Sequence, residues 1–273
     1  MHVVFVYGTL RRHEANAHLL EKAEIVAEQA WVFGTLYDTG NGYPALVLKM
    51  PASDTGTKVY GELYRVTAQQ LAALDELEGY REGRADNLYE RVVATVHTDT
   101  GDYDAFLYVF PARRAEGLLP IRWGDWKCHR LLPDPSLGGS WTEDDEDGAP
   151  TWHYFAYGSC MDSERFETDG VAHWFQDVVG RGVLKGYELK FTHRSLSDGQ
   201  GRADILETGG VVEGKVYRIG RAALEYLYRR EGVGGQVYRP TFVDVKVEGQ
   251  MLQDVLTFVV VNKTEETPPP DEY

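Results

Sequence analysis

The sequence predicts an α+β protein made of two tandem copies of one domain, each a small barrel or strongly curled sheet with one prominent helix. Three observations carry this expectation. The chain has 273 residues, more than the commonest single-domain size and enough for two domains of about 120 to 140 residues. The stretch FVYGTL at 5 to 10 recurs as FAYGSC at 155 to 160, an offset of 150. Each half reads mostly as strands with one clear helix, and that mixture describes an α+β arrangement.

The elements follow in the same order in both halves, which marks a duplicated domain rather than a short-period repeat. HVVFV at 2 to 6 is an apolar run stopped by Tyr7-Gly8-Thr9, and WHYFA at 152 to 156 is stopped by Tyr157-Gly158-Ser159. GTLYD (34 to 38) is echoed by GVLKG (182 to 186), and GYPAL (42 to 46) by GRADI (201 to 205). VYGELYRV (59 to 66) matches VEGKVYRI (212 to 219), with Leu63 and Arg65 directed to one face of the strand and Tyr64 and Val66 to the other. The clear helix begins at Thr67, where Gln70 can close a capping box. It carries Leu71, Leu74 and Leu77 on one face and stops at Gly79. LDELEGY (74 to 80) corresponds to LYRREGV (227 to 233), LYERVVATV (88 to 96) to VYRPTFVDV (237 to 245), and AFLYVF (105 to 110) to VLTFVV (255 to 260). The acidic, Gly-rich GGSWTEDDEDGAP divides the chain into a first domain at 1 to 137, a linker at 138 to 150, a second domain at 151 to 262 and a flexible tail at 263 to 273.

Composition narrows the function classes. Hydrophobic residues make up 43% and aromatics 12%, with mean hydropathy −0.38, values of a soluble globular protein. A net charge of −15 and pI near 5.0 disfavour nucleic acid and anionic membranes as partners. No apolar run approaches membrane-spanning length, and the N-terminus reads as a strand rather than a signal peptide. Cys128 and Cys160 lack metal-site or disulfide-framework spacing, so a reduced, cytoplasmic setting is expected. The scattered histidines show no HxxH or HExxH spacing, and neither a metal nor a cofactor is expected. The sequence carries no signal of oligomeric state.

The candidate chemistry lies where the two halves agree. Glu78 and Glu231 each end the helix directly before a glycine. A carboxylate there opposes the helix dipole by about 0.3 to 1 kcal/mol. A solvated glutamate would explain either copy alone, and common ancestry could preserve both. The functional reading is that helix-end carbonyls and a cleft raise the carboxyl pKa, which suits a group that takes and returns a proton near neutrality. In the Tyr-Gly-Thr/Ser turn, glycine allows close approach of a ligand, and the amides after it can form an anion-binding nest. An ordinary turn after a strand would explain one copy; turn and glutamate together in each half argue for a paired site. Cys160 could be a nucleophile, but Leu10 occupies its place in the first half, which favours a small buried filler.

FVYGTL, YFAYGSCM, GELYRV, LDELEGY and REGVGGQVYRP together resemble the γ-glutamylcyclotransferase superfamily, which includes γ-glutamylamine cyclotransferases and AIG2-like proteins. The resemblance covers both halves, and the tandem arrangement is similar to that of two-domain bacterial members. It implies a small mixed β-barrel flanked by helices in each half. It places the catalytic glutamate at Glu78 and Glu231 and the substrate-cradling turn at Tyr7, Gly8, Thr9 and Leu10 and at Tyr157, Gly158, Ser159, Cys160 and Met161. A pocket tyrosine falls on Tyr89 and Tyr238. Cys160 departs from the frequent Tyr-Gly-Ser-Asn pattern, losing a possible side-chain hydrogen bond. WGDW at 123 to 126, also seen in the γ-glutamylamine and AIG2-like branch, has no counterpart in the second half. The implied reaction is cyclisation of a small γ-glutamyl amine or amino acid to 5-oxoproline. The alternative is a non-catalytic module that binds a γ-glutamyl-like or other small anionic ligand.

Overall fold

The computed structural model describes residues 1–49, 57–133 and 149–269. The chain divides into two compact units, 1–133 and 134–273. The expected linker lies outside the described residues up to position 148. Among the described residues no helix is long and apolar enough to cross a membrane.

The first unit holds β1 (His2–Val6), β2 (Glu24–Asp38), β3 (Pro44–Leu48), β4 (Lys58–Val66), α1 (Ala68–Leu77), β5 (Glu90–Thr98), β6 (Gly101–Val109), β7 (Leu119–Pro120) and α2 (Trp126–Leu131). Strands pair in the order β2-β4-β1-β6-β5, and a β2–β5 pairing closes the ring into a five-stranded barrel; β3 and β7 extend β2 outside it. The barrel is mixed because β1 and β6 run parallel. Phe5, Val32, Leu63 and Leu107 fill its interior. The outer face is also covered: Val4, Tyr64 and Val66 pack with Leu71 and Leu74 of α1. Hence GELYRV buries both its faces, as a strand with a barrel core on one side and a helix on the other must. Thr67 and Gln70 form the expected capping box, with Gln70 N donating to Thr67 Oγ1 (3.2 Å) and Thr67 N to Gln70 Oε1 (2.9 Å). Leu77 departs from expectation: it is 40% exposed and lines a cavity at the end of α1.

The second unit holds β8 (Trp152–Ala156), α3 (Ser163–Thr168), β9 (Val178–Lys185), β10 (Glu188–Arg194), β11 (Gly201–Leu206), β12 (Val211–Ile219), α4 (Arg221–Arg230), β13 (Tyr238–Val247) and β14 (Gln250–Val260). Its ring is β12-β8-β14-β13-β9, the first unit's order strand for strand, with β10-β11 as a separate ribbon. Strand pairing corrects one step of the sequence comparison. Gly61 of β4 faces Ala30 and Gly214 of β12 faces Gly182, so Gly182 corresponds to Ala30 rather than to Gly34. The segment expected to be a flexible tail is hydrogen-bonded in its described part, through Thr267 N to Phe191 O (3.0 Å) and Gly201 N to Pro268 O (2.8 Å). Its polar composition conceals a strand-like use of backbone groups.

Gly61 and Gly214 allow the barrels to close. A Cβ at Gly61 would lie 2.2 Å from Val6 O and 2.8 Å from the Phe5 ring; one at Gly214 would lie 2.3 Å from Ala156 O and 2.5 Å from the Phe155 ring. β4 packs against the end of β1, and β12 against the end of β8, at these points, and only hydrogen fits between them.

Candidate active site

In the first unit β1 delivers its turn to the C-terminal end of α1. That helix ends in a Schellman arrangement: Gly79 N donates to Glu76 O (3.2 Å) and Tyr80 N to Asp75 O (2.9 Å), with Gly79 left-handed at φ 63°. Glu78 is therefore the C-cap, at φ −81° and ψ −1°, and Glu231 matches it at φ −81° and ψ 0°. The cap directs the Glu78 side chain into a cavity of about 300 Å³, where Tyr7, Gly8, Thr9, Leu10, Glu78 and Tyr89 all meet. Asn16, Asn41, Tyr43, Pro44 and Tyr108 are among the other residues of its walls.

The turn is firmly held. Arg11 N donates to Gly8 O (3.1 Å), Asn16 N to Thr9 O (2.8 Å) and Asn16 Nδ2 to Thr9 Oγ1 (2.9 Å). Tyr7 OH donates to Tyr108 O (2.6 Å) and Tyr89 OH to Pro44 O (2.8 Å), tying β1, β6 and the 39–44 loop around the cavity. Gly8 is required by its own neighbour, since a Cβ there would fall 2.8 Å from the Pro44 ring; this adds a packing reason to the ligand approach expected from the sequence. Among the described residues the N–H groups of Gly8, Thr9 and Leu10 have no acceptor. The Glu78 carboxyl has no hydrogen bond or ion pair among them either.

Burial pushes the Glu78 carboxyl up to about 7; of the two causes expected from the sequence, the cleft acts, through desolvation, and the helix-end carbonyls do not figure. Tyr7, Tyr89 and Tyr108 lie close enough to sense its charge, and burial first, then that charge among other groups, holds their phenols above the ordinary range. All three remain neutral donors, and among the described residues no lysine, arginine or histidine lines the pocket.

Behind the turn lies a buried ionic network that accounts for WGDW. Arg11, 3% exposed, donates through Nε to Glu62 Oε1 (3.1 Å) and through Nη1 to Asp125 Oδ1 (2.9 Å). Arg12 N donates to Glu62 Oε2 (2.9 Å) and Tyr64 OH to the same atom (2.9 Å). Asp125 also caps α2 by accepting from Cys128 N (3.0 Å), while Trp126 joins the barrel core. At the matching positions the second unit has Met161 for Arg11 and Lys215 for Glu62, and it has no WGDW.

The second unit repeats the geometry with different walls. Tyr157 OH donates to Phe258 O (2.5 Å) and Tyr238 OH to Ala203 O (2.7 Å), the counterparts of the Tyr7 and Tyr89 bonds. Tyr157, Gly158, Ser159, Cys160, Glu231 and Tyr238 line a cavity of about 640 Å³. Met161 does not: it closes a short 3-10 turn and is 42% exposed, because it has no carboxylates to draw it inward as Arg11 has. Cys160 has not lost its side-chain hydrogen bond, for its Sγ donates to Glu231 Oε1 (3.7 Å). Burial and the nearby Glu231 raise the thiol to about 11, which argues against a nucleophilic thiolate. Burial also raises Glu231, opposed by Arg230 and the thiol bond.

Sequence reasoning missed Asn16, Tyr43 and Tyr108 in the first cavity and Arg165, His193, Arg202 and Arg230 in the second. Only the GYPAL/GRADI match pointed toward this wall. Tyr89–Pro44 and Tyr238–Ala203 are the same bond in both units and fix that register.

Two tandem five-stranded barrels each place a Tyr-Gly turn opposite a helix-capping glutamate across a cavity, a duplicated candidate site. The chain belongs to the γ-glutamyl cyclotransferase, AIG2-like family, whose model matches residues 4–128 and 154–273. It is 42% identical over 271 residues to YkqA of Bacillus subtilis (strain 168), covering 99% of this chain and 88% of that protein. The crystal structure of Bacillus subtilis YkqA superposes with a TM-score of 0.80 at 40% identity, covering 100% of this chain and 88% of that one. The γ-L-glutamyl-butirosin B γ-glutamyl cyclotransferase of Niallia circulans is 37% identical over 129 residues, 47% of this chain and 77% of that protein.

Proposed function

We propose that the protein cyclises the γ-glutamyl group of a γ-glutamyl amine or amino acid to 5-oxoproline and releases the amine. The observation that carries this reading is the elevated Glu78 carboxyl sharing a cavity with the amides of Gly8, Thr9 and Leu10, none of these groups having a partner among the described residues. A γ-glutamyl amide contains its own nucleophile. Its α-amine attacks the γ-carbonyl carbon, a new C–N bond closes the five-membered lactam, and the original C–N bond breaks. The reaction moves two protons from the substrate's α-ammonium to the departing nitrogen, which leaves as an ammonium. A single carboxylate with a pKa near neutrality can relay them one at a time, and Glu78 is that group. The turn amides hold the substrate carboxylate or the oxyanion that develops on the γ-carbonyl. Because the attack is intramolecular, holding the bent conformer provides much of the acceleration. The chemistry calls for no metal, cofactor or cysteine nucleophile.

Glu231 is the corresponding group in the second domain. Burial raises its pKa, while Arg230 and the Cys160 thiol favour its charged form. The test is a panel of γ-glutamyl amines, γ-glutamyl amino acids and glutathione assayed for 5-oxoproline. Release from at least one compound, with stoichiometric amine, is expected. Ligand-induced thermal stabilisation without turnover anywhere on the panel would favour a binding module instead.

A further inference from the structure

The two cavities share a turn, a carboxyl and a tyrosine, and differ in charge. Among the described residues, no lysine, arginine or histidine lines the first cavity. In the second, Arg165 of α3, Arg202 of β11 and Arg230 of α4 reach one space. These three arise at matching positions. Counting from the Tyr-Gly turn, Arg165 stands where the first unit has Ala15; the shared tyrosine bond sets Arg202 against Tyr43; and the helix-capping glutamates set Arg230 against Leu77. Ala15, Tyr43 and Leu77 all line the first cavity. Three neutral wall positions have thus become cationic in a chain whose net charge is −15.

The acids on this wall are Asp198 and Glu231. Arg202 gives Nη2 to Asp198 Oδ2 (2.5 Å), while its Nη1 is buried and meets no acceptor among the described residues. Arg230 donates through Nη1 to Asp169 Oδ2 (3.0 Å) and Tyr226 OH (3.0 Å), outside the cavity lining, and through Nη2 to Ser159 Oγ (3.4 Å) within it. A buried guanidinium N–H without an acceptor is costly unless a ligand supplies one. The second cavity is also about twice the volume of the first, 640 Å³ against 300 Å³.

We propose that the second domain recognises γ-glutamyl compounds whose amine portion carries a carboxylate of its own, that is γ-glutamyl amino acids or peptides. The first domain takes γ-glutamyl amines without that charge. This rests on the γ-glutamyl reading of both sites and assigns each its substrate class. The α-amino acid end of the substrate occupies the turn in either domain, and in the second the distal carboxylate meets the arginine wall, where guanidinium and carboxylate pair most effectively.

The test uses the full chain with Glu78→Gln and Glu231→Gln, so that ligands survive, titrated calorimetrically with γ-glutamylglycine and γ-glutamylmethylamide. γ-Glutamylglycine is expected to bind about tenfold more tightly at one site per chain, as one added charge-assisted pair would give. Arg202→Gln and, separately, Arg165→Gln should each reduce that preference, and added salt should weaken γ-glutamylglycine more than the methylamide. Absence of a preference, or one unaffected by both arginine variants, overturns the proposal. If the unaltered chain still releases 5-oxoproline in that event, only the substrate assignment falls. If neither compound binds and none is turned over, the γ-glutamyl reading falls with it.

Discussion

Replacing Glu78 with Gln in a chain that already carries Glu231→Gln is expected to lower kcat/KM for 5-oxoproline release about 10²- to 10⁴-fold, the range lost with a general acid–base. The Glu231→Gln parent, which retains only the first site, should show kcat/KM rising with pH through about 7 and then levelling, because the carboxylate form must accept the proton. Stability should respond in the opposite sense. Burial raises the folded-state pKa above the ordinary 4.5, so the native protein holds the proton more firmly than the unfolded chain. The stabilisation linked to that proton is complete below about pH 4.5 and is lost as pH rises through about 7. Gln cannot ionise. At pH 8 Glu78→Gln should therefore be more stable than wild type by roughly 1 to 3 kcal/mol, with the gap closing toward pH 5. A variant that loses activity while gaining stability in this pH-dependent way would mark a carboxyl held in an unfavourable place for its chemistry. Equal activity of the variant and its parent would rule Glu78 out as the proton carrier.

Arg11→Ala should destabilise the first domain by about 3 to 5 kcal/mol. It leaves the carboxylates of Glu62 and Asp125, 6% and 2% exposed, without the cation between them. The loss should appear as a lower denaturation midpoint of the first-domain transition in the full chain. It should fall far short of that in a triple variant, Arg11→Met with Glu62→Leu and Asp125→Asn, because removing a buried network together costs less than breaking it. The second domain supports this logic, having lost the arginine, the glutamate and the WGDW segment together. A change below about 1 kcal/mol on Arg11→Ala would show that the network contributes little.

How much of this was legible beforehand depended on whether the chain presented a feature twice. The turn at Tyr7 and the cap at Glu78 were visible because each recurs in the second half, and the capping box of α1 because its residues stand three apart. Residue patterns alone left a small barrel and a strongly curled sheet open, and the family resemblance supplied the barrel; the rungs that close it between β2 and β5, Ala30 with Thr98 and Trp31 with His97, leave no local pattern. The arginine wall was hidden for a similar reason: Arg165, Arg202 and Arg230 sit on separate elements and acquire a common meaning only in the fold. Cys160 is the small buried residue expected, but its hydrogen bond was not legible because it runs to Glu231, 71 residues away. The joint absence of Arg11, Glu62 and WGDW from the second half was a readable sign of contact between them, available to any comparison that placed the repeats in register.

If the substrate's own amine, rather than water, breaks the γ-glutamyl amide, turnover in ¹⁸O-labelled water followed by mass analysis of the product should give 5-oxoproline with no label at its lactam carbonyl, and one equivalent of amine. Glutamate carrying one ¹⁸O in its γ-carboxyl would show hydrolysis and contradict the proposed cyclisation.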